Sequence, residues 1–98
     1  ESIALVHEMD VIKEMEGFLD ENKHLQFKLI FLDAGMYNIV KTVLPLLWER
    51  LTPGGILILD QYNHELSPGE TLAAREVLPD AKVKVLPNIW MPSGYIVK

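Results

Sequence analysis

Residues 27–37 read Phe-Lys-Leu-Ile-Phe-Leu-Asp-Ala-Gly-Met-Tyr and residues 51–62 read Leu-Thr-Pro-Gly-Gly-Ile-Leu-Ile-Leu-Asp-Gln-Tyr, with an apolar-periodic segment between them. The pattern predicts strand, helix, turn, strand. Both strand runs are rich in Ile, Leu and Phe without alternating polar residues, as in strands of a parallel sheet buried on both faces. Each run ends on a carboxylate, Asp33 or Asp60. Ligands of open α/β sheets bind at the carboxyl ends of the strands, so these two acids are the leading site candidates.

Outward from this core, Ser2–Met9 reads as a short apolar strand, with Asp10 placed to cap a helix from Val11 to about Asn22. Val11, Ile12, Met15, Phe18 and Leu19 recur at helical spacing there, and Lys13, Glu14, Glu16 and Asp20 take the other face. Ala34-Gly35 turns the chain out of the sheet and lets backbone approach a ligand closely. Met36–Leu51 is the longest predicted helix, with Ile39, Val40, Val43, Leu44, Leu47, Trp48 and Leu51 as its apolar stripe. Pro45 predicts a kink inside it. Thr52-Pro53-Gly54-Gly55 predicts a stop and turn before a strand at Ile56–Leu59.

Beyond Asp60, Ser67 with Pro68 and Glu70 reads as a capping box opening a helix from about Pro68 to Leu78. Ala81–Leu86 alternates Val and Lys, as in a strand with one wet face. Pro87-Asn88 reads as a turn, and Gly94–Lys98 as a closing strand antiparallel to its predecessor, the link being too short for a helical crossover. The expected class is α/β: a Rossmann-like, mostly parallel sheet with helices on both faces and a carboxyl-terminal antiparallel hairpin.

At 98 residues the chain is a single small domain, burying roughly 60–65% of its unfolded surface. The net charge of −5, with no basic run and no aromatics interleaved with Lys or Arg, argues against a nucleic-acid partner. No cysteine is present, so there is no disulfide framework or thiolate metal site, consistent with a cytoplasmic location. No run reaches the about 18–20 apolar residues of a membrane span, so no membrane partner is expected. Glu1 rather than Met opens the sequence, which reads as a piece of a longer chain.

Asp33-Ala34-Gly35-Met36-Tyr37, Leu51-Thr52-Pro53-Gly54-Gly55, Asp60-Gln61-Tyr62, and the later Pro68-Gly69 with Ala73-Ala74-Arg75-Glu76 resemble class I S-adenosylmethionine-dependent methyltransferases in their carboxyl-terminal part. More narrowly they are similar to the macrocin O-methyltransferase family, which methylates sugar hydroxyls. The resemblance runs from about Phe27 to the end. It implies S-adenosylmethionine as cofactor near Asp33, Ala34 and Gly35, and a small-molecule acceptor. It further implies Mg²⁺ held at Asp33, Asp60 and Gln61, orienting the acceptor hydroxyl and lowering its pKa. Relatives carry acids where this chain has Gly35 and Gln61, which reduces the charge of that site. No glycine-rich cofactor loop is present in the sequence, so the chain is expected to supply the acceptor and metal side only.

Each candidate has a plainer role beside the chemical one. Asp33 is a catalytic candidate, yet it and Asp60 could serve simply as caps. His64, one turn or a short loop past Asp60, is a general-base candidate or a solvated loop histidine. Tyr37 and Tyr62 are placed to contact substrate or to pack with their hydroxyls at a rim. Trp48 reads as core, and Trp90 as an exposed partner or substrate surface. The competing function is a non-catalytic flavodoxin-like signalling or oligomerisation module, with Asp33 as phospho-acceptor. If the neighbouring strand of the full fold is absent, the unpaired apolar edge of Phe27–Leu32 predicts a homo-oligomer or a swapped Ser2–Met9 strand.

Overall fold

A computed structural model describes residues 4–60, 62, 68–85 and 93–98. In chain order these form α1 (Val11–Glu21), β1 (Phe27–Leu32), α2 (Tyr37–Arg50), β2 (Leu51–Asp60), α3 (Pro68–Val77), β3 (Lys84–Val85) and β4 (Ser93–Val97). The sheet order is β1-β2-β4-β3. β1 and β2 are parallel, with Leu29 opposite Ile56 and Leu32 opposite Leu59. β4 is antiparallel to both β2 and β3.

The core forms where the α2 stripe meets one face of this sheet. Val40, Val43 and Leu44 are buried against Ile30 and Leu32 of β1, Leu57 and Leu59 of β2, and Ile96 of β4. Each such side chain contributes about 1.5–3 kcal/mol of burial. Ala73 and Ala74 of α3 join the same cluster. At the start of α3, Gly69 lies so near α2 that a Cβ there would stand 2.8 Å from the Tyr37 backbone nitrogen.

The α/β class, the opening parallel pair and the closing antiparallel hairpin agree with the sequence, but two particulars differ. Among the described residues one of the three strand pairings is parallel. The second layer of helices is absent among the described residues, because Leu29 and Phe31 are 58% and 59% exposed and Ile56 and Val97 beside them are also exposed. The continuous apolar runs therefore sit in strands with one covered face and one open one. An all-parallel flavodoxin-like sheet is not what forms, since β4 runs against β2.

Residues 4–9 form no strand, so the described part of the Ser2–Met9 run fills no gap in the sheet. Asp10 caps α1 as expected, its Oδ1 accepting from the Ile12 and Lys13 N–H groups. α2 continues through Pro45, whose ring is on the exposed side. Thr52–Gly55 is not a separate turn but lies within β2, where the pairing with β1 slips between Phe27 and Leu29. Gly54 takes φ 83° there, a conformation open to glycine at no steric cost. Its N–H bonds to the Lys98 carbonyl, and the Lys98 N–H to the Gly55 carbonyl, extending the β2–β4 ladder. Trp48 is half-buried at the core's edge, under the Lys98 ammonium 5.2 Å from its ring centre. The Pro87-Asn88 turn and Trp90 lie outside the described residues.

Arg50 ties the first helix to the rest. Its guanidinium donates to the carbonyls of Leu19 (2.9 Å), Asn22 (2.9 Å) and Leu25 (3.2 Å) at the end of α1 and in the turn after it, the first two of which also accept the Asn22 and Leu25 N–H groups. A planar fork reaches all three; an ammonium cannot. Arg50→Ala should therefore cost about 2 kcal/mol in urea unfolding, with Arg50→Lys recovering less than half of it. A loss within error of zero for Arg50→Ala would contradict this role.

Candidate functional site

The parallel register places residues 33 and 60 side by side at one edge of the sheet, each one step beyond the paired Leu32 and Leu59. The two carboxyl groups are close enough to interact. The hydrogen bond to Asp60, then its charge, then a smaller loss of solvent raise the Asp33 pKa above the usual carboxylate value. From β4, Ser93 lies opposite Asp60 and its Oγ donates to Asp60 Oδ1 at 3.3 Å.

A third carboxyl is present that the sequence reading assigned to a capping box. Glu70 is completely buried. Its Oε2 accepts the Gly35 N–H at 3.1 Å, across 35 residues of chain, and Oε1 has no hydrogen-bond partner among the described residues. Burial, opposed by the Gly35 hydrogen bond and aided by the charges of Asp60 and Asp33, pushes its pKa up to about 7. The signal was present in the sequence. Glu70, Ala73, Ala74 and Val77 recur at helical spacing, placing an acid on the stripe of α3 that faces the core.

The other candidates fall in different places. Gly35 turns the chain at φ 66°, with Ala34 half-buried beside it. The Tyr37 hydroxyl donates to Glu76 Oε2 at 2.5 Å, and Lys41 approaches the same oxygen at 2.7 Å, joining α2 to α3. The hydrogen bond to ionised Glu76 raises the Tyr37 pKa. Tyr62 is 5% exposed and belongs to the core. It also lines a cleft of about 370 Å³ with Ala74, Arg75, Leu78 and Val83, whose lining includes neither Asp33 nor Asp60. Gln61 and His64 lie outside the described residues.

Among the described residues no group of three His, Asp or Glu side chains is arranged to hold a metal ion. The Asp33–Asp60 contact nonetheless suits a hard divalent cation, since Mg²⁺ commonly takes one or two carboxylates and fills its shell with water and substrate oxygens. No helix among the described residues is long and apolar enough to cross a membrane.

The chain matches two solved structures of CalS11, described as a TDP-rhamnose 3'-O-methyltransferase of calicheamicin biosynthesis and as a calicheamicin methyltransferase. In both the sequence identity is 32%, the TM-score 0.81, and 92% of this chain is covered. The fold is the one these methyltransferases carry. The chain spans 39% of the length of one CalS11 structure and 35% of the other. No protein-family model matches the sequence, and no curated protein sequence matches it.

The elevated pKa of Glu70 has a signed consequence for stability. Between about pH 4.5, the ordinary glutamate value, and about pH 7, the unfolded chain releases this proton while the folded chain keeps it. Glu70 thus costs nothing below that window, and its destabilisation grows through it to a plateau above about pH 7. Urea unfolding of wild type and Glu70→Gln at pH 5 and pH 8 should show the difference moving in favour of the glutamine by on the order of 1–3 kcal/mol. A difference independent of pH would mean that Glu70 ionises as freely in the fold as out of it.

Proposed function

We propose that this chain forms the acceptor side of an S-adenosylmethionine-dependent O-methyltransferase of the macrocin type, acting on a hydroxyl of a nucleotide-linked sugar. The observation that carries the reading is the Asp33–Asp60 contact at the carboxyl edge of the parallel pair, in a chain that matches a sugar O-methyltransferase over 92% of its length. S-adenosylmethionine, when bound, supplies an electrophilic methyl group. The chain's part is to hold the acceptor hydroxyl and receive its proton.

The carboxylate pair suits that part. An ionised carboxylate of the pair would accept a hydrogen bond from the acceptor hydroxyl; as the oxygen bonds to the methyl carbon and the carbon–sulfur bond of the bound cofactor breaks, the hydroxyl proton would pass to that carboxylate. A raised Asp33 pKa makes it a stronger base than a free carboxylate. Asp33 and Asp60, with the Gln61 side-chain carbonyl, are the residues that would hold Mg²⁺, whose charge would favour the deprotonated hydroxyl. Ala34 and Gly35 offer backbone to the cofactor. His64 follows Asp60 closely enough in sequence to serve as a second proton acceptor. Tyr37, anchored to Glu76, would act as a wall of the acceptor site.

Calorimetric titration of TDP-rhamnose into the protein in Mg²⁺ buffer tests the reading, because nucleotide-sugar binding at this edge depends on the two acids. The affinity should fall at least about tenfold, a change of 1.4 kcal/mol, in Asp33→Asn and in Asp60→Ala, both of which should keep the wild-type circular dichroism. Equal affinity in wild type and variants would overturn the assignment of the edge.

A further inference from the structure

The feature that the proposed chemistry leaves unused is the buried carboxyl of Glu70. Its neighbours define what it touches: the Gly35 N–H on one oxygen, no hydrogen-bond partner among the described residues on the other, and the α2 start held tight against Gly69 one residue earlier. An acid at this depth with an unpaired oxygen is expensive, and apolar or amide side chains would fill the stripe at lower cost. The hydrogen bond is made to the one residue of the β1–α2 turn with a left-handed backbone, two positions after Asp33. Left to itself, a glycine turn of this kind samples many conformations.

We propose that Glu70 is a positioning residue for the strand-end pair: by accepting the Gly35 N–H it fixes the turn that follows Asp33, and thereby the direction in which the Asp33 carboxylate meets Asp60 and the acceptor hydroxyl. This rests on the reading of the edge as an acceptor site, and it assigns to α3 a part in that site beyond packing. Gly69 is needed for the same docking, because any Cβ there would push the start of α3 away from Tyr37 and carry Glu70 with it.

The test separates the hold on the turn from ligand binding. In the wild-type protein, in Glu70→Gln and in Glu70→Ala, the Gly35 amide exchange rate and the Asp33 carboxyl-carbon resonance are read by nuclear magnetic resonance, and the affinity for TDP-rhamnose in Mg²⁺ buffer by calorimetry. Glutamine keeps an acceptor for Gly35, so Gly35 exchange and the Asp33 resonance should stay near wild type, with Kd within about threefold. Alanine removes the acceptor: Gly35 exchange should rise at least about tenfold, the Asp33 resonance should move, and the affinity should fall about tenfold or more. If alanine leaves Gly35 or Asp33 unmoved, or if glutamine displaces Asp33 as alanine does, the proposal is overturned. The glutamine arm decides it alone if the alanine variant does not fold. Absence of TDP-rhamnose binding in wild type would instead defeat the functional reading, while the two resonances still report whether Glu70 holds the turn.

Discussion

Everything at the candidate site depends on the parallel pairing of β1 with β2. Two strands joined by a helical crossover meet in the register that sets Leu32 beside Leu59, and the next residue of one strand and the last of the other are both aspartates. The core enforces that register. Ile30, Leu32, Leu57 and Leu59 all face α2, and a slip by one residue would turn Leu29, Phe31, Ile56 and Ile58 inward and send the present core residues out. The contact between the two carboxylates is therefore held by burial of apolar side chains on the covered face, not by any attraction between the acids.

Much of this was readable from local patterns. The α1, β1, α2 and α3 spans follow from helical spacing, the Asp10 cap and the Pro68-Gly69 opening, and the structure moves their ends by a residue or so. The placement of Asp33 and Asp60 at strand ends was equally legible, because it needs only the strand boundaries. What could not be read was which face of each strand would be covered. Leu29 and Phe31 look like core in sequence, yet their exposure depends on a layer that no local pattern announces. The antiparallel position of β4 between β2 and β3 was likewise a matter of topology and not of periodicity.

Glu70 shows how a local motif can mask a tertiary one. Three residues after Ser67, a glutamate satisfies the capping-box pattern, and the first helical turn is where an acid is expected. The same residue lies on the apolar stripe of α3, and its bond to Gly35 turns it toward the sheet edge. Tyr37 was ambiguous for a similar reason: its position just after β1 is suited to a ligand contact, but Glu76 on α3 takes its hydroxyl. Both cases involve the packing of α2 against α3, allowed by Gly69, Ala73 and Ala74, which spacing within either helix alone does not describe.

The bare face of the sheet gives the account its context. Leu29, Phe31, Ile56 and Val97 form one contiguous apolar surface, and the CalS11 structures that share the fold are more than twice as long as the segment matched here. The central claim is that the Asp33–Asp60 pair acts as one unit in holding the acceptor. The most direct measurement is the affinity for TDP-rhamnose in Mg²⁺ buffer, by calorimetry, in wild type, Asp33→Asn, Asp60→Asn and the double variant. If the pair works as a unit, each single change should weaken binding about tenfold or more and the double change should be little worse than either. Single variants with wild-type affinity, or losses that add in free energy in the double variant, would contradict it.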